Sequence, residues 1–397
     1  MQLHEFTRIL GTLFYGESEG IVSLWKDLDD SSRDEFLKVC SKDGTVSFVY
    51  RKLYEAGLRD GLEKLEAQNA RHNAFAIGNQ MKFDSLCKLL DGHGIRYAPI
   101  KGIDLAFRVY PSPTLRAYCD WDVLFHYEDI YKAVQLLADN GWGTAVPVNA
   151  DHLPYHFHFP IMRKDGIALE PHWMLPGFDG NTPEQIWRFI HPVGDGAFRH
   201  VLEPALNMLL LTRHASRGYY TVIPLSRMLL DAAYIMRLDG FDWKRCREVS
   251  DELNLPCSAD FLAAFCGFFP DSIREEMSAD DERSEAYRKL FEQRTEMHSK
   301  PKRDNLTLNN GMFFSLPWLK YLARRLFSSV GVRKRHNLPK QGQYFKVLAY
   351  MFWDILCNVW RCTCLLIRRD TAVNDYAELI RVAEGRGETA GKKGRPD

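Results

Sequence analysis

The sequence predicts an α+β protein in which a small mixed-sheet core, residues 95–180, is flanked by N-terminal and C-terminal helical regions. Three observations predict this. Apolar residues recur at helical spacing before residue 95 and again beyond residue 180. Between those regions the pattern changes to short apolar runs punctuated by glycine and proline. Within that stretch the order reads strand, short helix, strand, helix, hairpin, which is a mixed sheet with helices laid against it.

In chain order, residues 1–94 form an N-terminal helical region, with helices expected at Asp34–Ala56 and Leu58–Gly92 and stop signals at Gly92 and Gly94. IRYAPIKG then reads as a short strand ending in Lys101-Gly102, followed by a helix from Ile103 to Val109 and a loop built on Pro111 and Pro113. CDWDVLFH is the next strand, and EDIYKAVQLLADNGW is a helix that Gly141 stops. HFHFPIMRKDGIALEPHWML alternates as two strands about Lys164-Asp165-Gly166, an Asp-Gly turn of the kind hairpins prefer. Residues 181–298 are a helical domain, with the clearest helices at Glu203–Ser216, Leu225–Arg237, Trp243–Leu253 and Ala259–Phe268. Residues 299–383 are a C-terminal helical extension and 384–397 a tail with almost nothing to bury, expected to be disordered.

Composition excludes several classes. Lysine plus arginine and aspartate plus glutamate each number 52, so no global field attracts nucleic acid or an acidic membrane surface. The nine cysteines are odd in number and scattered, which is not a disulfide framework, and Cys362 and Cys364 alone make a poor zinc site. The N-terminal stretch lacks the pattern of a secretory signal, and the apolar run from Tyr344 to Ile367 is broken by Lys346, Asp354, Asn358 and Arg361. A cytoplasmic protein without a spanning helix is the expectation.

Two Asp-x-Asp pairs occur, and on the order of one is expected by chance in a chain of this size. Asp27 and Asp29 lie in KDLDDS, a polar helix end where aspartates act as caps. Asp120 and Asp122 instead lie in an apolar, strand-like run, so both point to one face and Trp121 to the other. Paired carboxylates repel unless they are solvated at an exposed strand end or a cation sits between them, and magnesium is the usual oxygen-seeking occupant. Upstream, Lys101-Gly102 at a strand-to-helix turn suits phosphate: the glycine lets backbone amides approach an anion and the lysine adds charge. Glu170 in IALEPHWML, with His172 on the same face, offers a third carboxylate of the number a two-metal phosphoryl-transfer site needs. His152, His156, His158 and His172 fit no common zinc spacing.

The ordered set Lys101-Gly102, Tyr110-Pro111, Arg116, Asp120-Trp121-Asp122-Val123-Leu124, Gly141-Trp142 and Glu170-Pro171-His172-Trp173 resembles the uncharacterised nucleotidyltransferases of the polymerase-beta-like superfamily. The likeness continues more weakly through LLLTRHASRGYY and LSRMLLDAAYIM, covering roughly residues 70–260. The resemblance implies transfer of a nucleoside monophosphate from an NTP to an acceptor, with two Mg2+ ions at Asp120, Asp122 and Glu170. It places Lys101 and Gly102 at the triphosphate; on chemical grounds Arg116 is expected to neutralise a phosphate, and His172 and His158 are read from their strand positions as polar contacts behind the site. Lys101-Gly102 stands where the wider superfamily has Gly-Ser, and Glu170 where aspartate is commoner. The acceptor, a small molecule, sugar or protein, is left open, and no segment signals nucleic-acid binding. Two alternatives stand beside this: a non-catalytic nucleotide-binding or regulatory protein that keeps the fold, and a peripheral membrane factor using the basic helix 316–330 with Lys320, Arg324 and Arg325.

Overall fold

A computed structural model describes residues 1–144, 157–178, 180–217, 224–298, 345–353, 356, 379 and 382–383. The basic helix 316–330, Cys362, Cys364, His152, His156 and the tail 384–397 lie outside the described residues, as does most of the run 344–367. Two compact units divide the chain, one of residues 1–148 and 157–284 and one that takes the described residues from Glu285 onward. In the second, residues 285–298 and 345–353 are helical. Among the described residues no helix is long and apolar enough to cross a membrane.

The first unit begins with five helices, α1 (Leu3–Tyr15), α2 (Ser18–Asp27), α3 (Asp30–Asp43), α4 (Val46–Glu55) and α5 (Glu63–Gly92). Asp29 caps α3, its carboxylate accepting from the Ser32 amide at 2.8 Å, so this aspartate is the structural cap its sequence context predicts. The helix expected at 34–56 is two helices. Gly44 adopts a left-handed conformation (φ 74°) and ends α3, and a Cβ there would sit 2.8 Å from that of Ala117. The close approach of a segment seventy residues away fixes this break.

The sheet has the order β1-β2-β5-β4-β3, with β1 (Tyr97–Ile100), β2 (Asp120–Phe125), β3 (Gly143–Thr144), β4 (Met162–Lys164) and β5 (Ile167–His172). The pair β1/β2 is antiparallel, β2/β5 parallel, and β5/β4 and β4/β3 antiparallel. The parallel pair requires a crossover, and α7 (Ile130–Asp139) lies within it. Asp165 (φ 49°) and Gly166 (φ 80°) carry the β4/β5 turn with two consecutive left-handed residues, the geometry of the Asp-Gly hairpin turn. On the buried face Trp121, 2% exposed, meets Phe83 of α5 edge-on at 5.2 Å and Trp142 at 5.9 Å. That aromatic wedge turns the even-numbered residues of β2 toward the opposite face.

After β1 the chain enters α6 (Lys101–Asp104), which runs on as a π-helical turn over 105–109. The helix therefore starts two residues before the expected Ile103, at Lys101 itself. Beyond the sheet come α8 (Pro183–Trp187), an antiparallel ribbon of β6 (Ile190–Pro192) and β7 (His200–Leu202), then α9 (Pro204–Arg217), α10 (Leu225–Ile235), α11 (Trp243–Glu252), α12 (Ser258–Ala263) and α13 (Asp271–Met277). The ribbon, which periodicity does not reveal, reaches β1 where the Tyr97 amide donates to the Phe198 carbonyl at 3.0 Å.

Polar clamps fix the helices to the turn after β1. Asp104, 1% exposed, accepts from Arg108 at 2.8 and 2.6 Å and from Asn207 of α9 at 3.2 Å. Asp231 of α10 accepts from Arg116 Nε and Nη2, each at 2.7 Å, and from the Tyr110 hydroxyl at 2.7 Å. Ser226 of α10 donates amide and hydroxyl to Asp43 of α3, both at 2.9 Å. Charge-assisted bonds of this kind are among the stronger polar contacts, and here they tie α9 and α10 to the segment 104–116 and α10 to α3.

Candidate active site

Register brings the carboxylates together. In the parallel pair β2/β5, Asp122 stands opposite Glu170, Asp120 opposite Ala168 and Leu124 opposite His172. Residues two apart share a face, so Asp120, Asp122, Glu170 and His172 all project from the side that Trp121 does not occupy. Asp122 is buried at 4% exposure, while Asp120 and Glu170 are half-buried.

Two donors converge on one oxygen of Asp122. The Lys101 ammonium lies 2.7 Å and His172 Nε2 2.8 Å from Oδ1, which leaves Oδ2 outside both contacts. His172 Nε2 is also 3.5 Å from Glu170 Oε2, and single ligand atoms of Asp122, Glu170 and His172 all fall within 4.8 Å of one another. Phe157 stacks on the His172 ring at 5.6 Å, and His158 lies 5.4 Å from it with Nδ1 donating to the Phe159 carbonyl.

The electrostatics distinguish the acids. Burial would raise the Asp122 pKa, but the bond from His172 and the Lys101 charge outweigh it and hold the carboxyl below the ordinary carboxylate range. Glu170 is lowered by its hydrogen bond from His172, against burial and the charge of Asp122. Asp120 moves the other way, raised by burial and then by the neighbouring charges of Asp122 and Glu170. The site thus holds one carboxylate that its own cations do not satisfy.

The Lys101-Gly102 turn is built under strain. Lys101 sits in the left-handed region (φ 54°), a conformation that costs a non-glycine residue about 1–3 kcal/mol and persists where surrounding structure enforces it. A Cβ at Gly102 would lie 2.8 Å from that of Tyr118 and 3.6 Å from Arg116 Nη1, so only glycine lets this backbone pass. Arg116 itself is 8% exposed and its guanidinium is engaged twice by Asp231, so its charge is neutralised inside the protein.

The helices α9 and α10 add two groups that the local sequence pattern did not single out. His214 of α9 is solvent-exposed, yet the protein around it and the Lys101 charge bring its pKa down to about 4, with Asp122, His172 and Arg227 also within electrostatic reach. Arg227 of α10 lies one turn before Asp231. The available signal was the pair of segments LLLTRHASRGYY and LSRMLLDAAYIM, where charged residues interrupt apolar helices that have no solvent face to spare.

The mixed sheet thus sets carboxylates of the parallel strands β2 and β5 side by side, with the lysine-glycine turn at the end of the neighbouring strand β1. A family model described as uncharacterised nucleotidyltransferase matches residues 29–269, and the chain belongs to that family. No curated protein and no solved structure matches it.

Proposed function

We propose that the protein transfers a nucleoside monophosphate from an NTP to an acceptor hydroxyl or similar group, releasing pyrophosphate. The observation that carries this reading is the juxtaposition of Asp122 and Glu170 across β2/β5 with Asp120 on the same face. Three carboxylates on one face, one with its pKa raised by burial and then by the other two, are a donor set that a divalent cation completes. Asp120, Asp122 and Glu170 would hold two Mg2+ ions, which when bound would polarise the α-phosphate and favour ionisation of the attacking hydroxyl.

His172 also belongs to the geometric cluster, but its chemistry suits a supporting role. Metal-ligating histidines almost always donate through the other ring nitrogen, and His172 Nδ1 is buried with no hydrogen-bond partner among the described residues. With Nε2–H donated to Asp122, His172 aims that carboxylate and leaves Oδ2 to face the ion. His158 lies behind it as a further ring of the wall. Lys101 contributes positive charge beside the carboxylates and Gly102 the close backbone approach that a phosphate needs. Arg116, paired to Asp231, serves this reading by fixing the loop that leads into Asp120.

A second reading is favoured by the Lys101–Asp122 contact: an ammonium bonded to one of the site's carboxylates is also how a non-catalytic, nucleotide-binding member of the fold would neutralise its acids. Calorimetric titration of each NTP with magnesium into wild type and into Asp120→Asn/Asp122→Asn separates the two. Magnesium-dependent binding of an NTP, lost in the double variant while its melting temperature is retained, supports the transferase. Binding that is indifferent to magnesium supports the second reading, and failure of every NTP to bind the folded wild type refutes both.

A further inference from the structure

The cations around the carboxylate face are nearly all committed. Lys101 is held by Asp122, Arg116 by Asp231 and Arg108 by Asp104. Arg227 is different: half-buried, it makes no hydrogen bond or ion pair among the described residues. The nearest carboxylates have been taken by others. Asp231, one helical turn along the same face of α10, spends both oxygens on Arg116 and receives Tyr110 as well, and Asp43 is engaged by Ser226. Removing a guanidinium from water without a counter-charge is costly, and a second guanidinium nearby adds repulsion. Burial, then Arg116, accordingly pulls the Arg227 pKa below its usual value.

Contacts connect this unpaired cation to the site. Arg227 precedes Asp231, Asp231 grips Arg116, Arg116 approaches the backbone at Gly102, and Lys101 beside it bonds Asp122. From α9, His214 lies within electrostatic reach of Lys101, Asp122 and Arg227 alike, and it too has no hydrogen-bond partner among the described residues. Along the line Gly102–Arg116–Asp231–Arg227, α10 therefore presents a forked cation, uncommitted among the described residues, that is linked by contacts to the Lys101 turn.

We infer that Arg227 binds the terminal phosphates of the nucleoside triphosphate and the pyrophosphate that leaves. The inference rests on the proposed transferase reading for its nucleotide, though not for its anion. Two parallel N–H donors match two phosphate oxygens, and a dianionic group there satisfies Arg227 and relieves its repulsion with Arg116. Carboxylates with their metal would take one end of the triphosphate and Arg227 the other, so the helical domain supplies part of the substrate site rather than only a support.

The test compares wild type with Arg227→Gln and Arg227→Lys, using inorganic pyrophosphate and magnesium–ATP as calorimetric probes and thermal melting as the check on folding. Arg227→Gln is expected to lose at least tenfold in pyrophosphate affinity, with an equal loss for ATP and none for AMP, while Arg227→Lys, which keeps the charge without the fork, falls between. Wild-type affinity for pyrophosphate in the glutamine variant overturns the inference, whatever ATP does. Should that variant not fold, full wild-type affinity in Arg227→Lys overturns the forked contact. If wild type binds no NTP but takes pyrophosphate through Arg227, the anion site stands and the transferase reading falls. Magnesium-dependent ATP binding that is unaffected by Arg227→Gln leaves the transferase reading and removes this one.

Discussion

The clamp between Arg116 and Asp231 should be among the most costly polar contacts to break. Both side chains are out of water, 9% and 2% exposed, and the guanidinium meets the carboxylate at 2.7 Å through each of two nitrogens. Replacing Asp231 by alanine leaves a buried guanidinium without its counter-ion, which costs about 3–5 kcal/mol. The orphaned Tyr110 hydroxyl, which had donated to the same carboxylate, pushes the cost toward the upper end. At roughly 2–4 °C per kcal/mol for a unit of this size, the melting temperature should fall on the order of 10 °C. Urea unfolding followed by tryptophan fluorescence measures the change, provided the slope with denaturant is unaltered. The double variant Arg116→Met/Asp231→Leu should recover all but about 1–2 kcal/mol, because it removes both charges and leaves the Tyr110 hydroxyl and the Ala117 carbonyl without these partners. Two results would refute the reasoning: an Asp231→Ala protein within about 1 kcal/mol of wild type, or an Arg116→Met protein of undiminished stability that has lost affinity for NTP. The second would make Arg116 a phosphate contact and not a strut.

Asp120→Asn should stabilise the metal-free protein at neutral pH. Its folded pKa is raised by burial and by Asp122 and Glu170, so its favourable contribution is present below the unfolded value of about 3.9 and is lost as pH rises through the folded value. Melting in EDTA should place the variant above wild type at pH 7, with the gap closing toward pH 3, and added magnesium should raise only wild type; a variant that melts lower at pH 7 in EDTA contradicts this. Gly102→Ala should cost about 1–3 kcal/mol, since the new methyl meets a Tyr118 Cβ that cannot turn aside. It should also weaken NTP binding by shifting Lys101, and an alanine variant with unchanged melting and NTP affinity would show that the turn has room.

Much of the fold was legible in the sequence because its signals are local. Alternation in CDWDVLF put Asp120 and Asp122 on one face and Trp121 on the other, and the structure has Trp121 packed on Phe83. The Asp-Gly turn, the Asp29 cap and the end of α5 at Gly92 likewise follow from residues within a few positions of each other. Gly44 was not recognised as a break, since a lone glycine within a helical pattern signals one only weakly and its close neighbour is Ala117. The ribbon β6/β7 was missed for another reason: strands of three residues carry too little periodicity to register.

By itself the sequence determined most of the core's elements, the shared face of Asp120 and Asp122, and the lysine-glycine turn, because helical and strand periods and turn chemistry are set by neighbouring residues. Which cation meets which acid was decided only by the tertiary structure. Lys101 lies 21 residues from Asp122, His172 lies 50, and Arg116 lies 115 from Asp231. Such partners are chosen by strand order, register and helix docking, and the choice leaves Asp231 on Arg116 and Arg227 without a carboxylate among the described residues. Long-range pairing of charges is a property of the packed chain, where burial makes each unpaired group costly enough to matter.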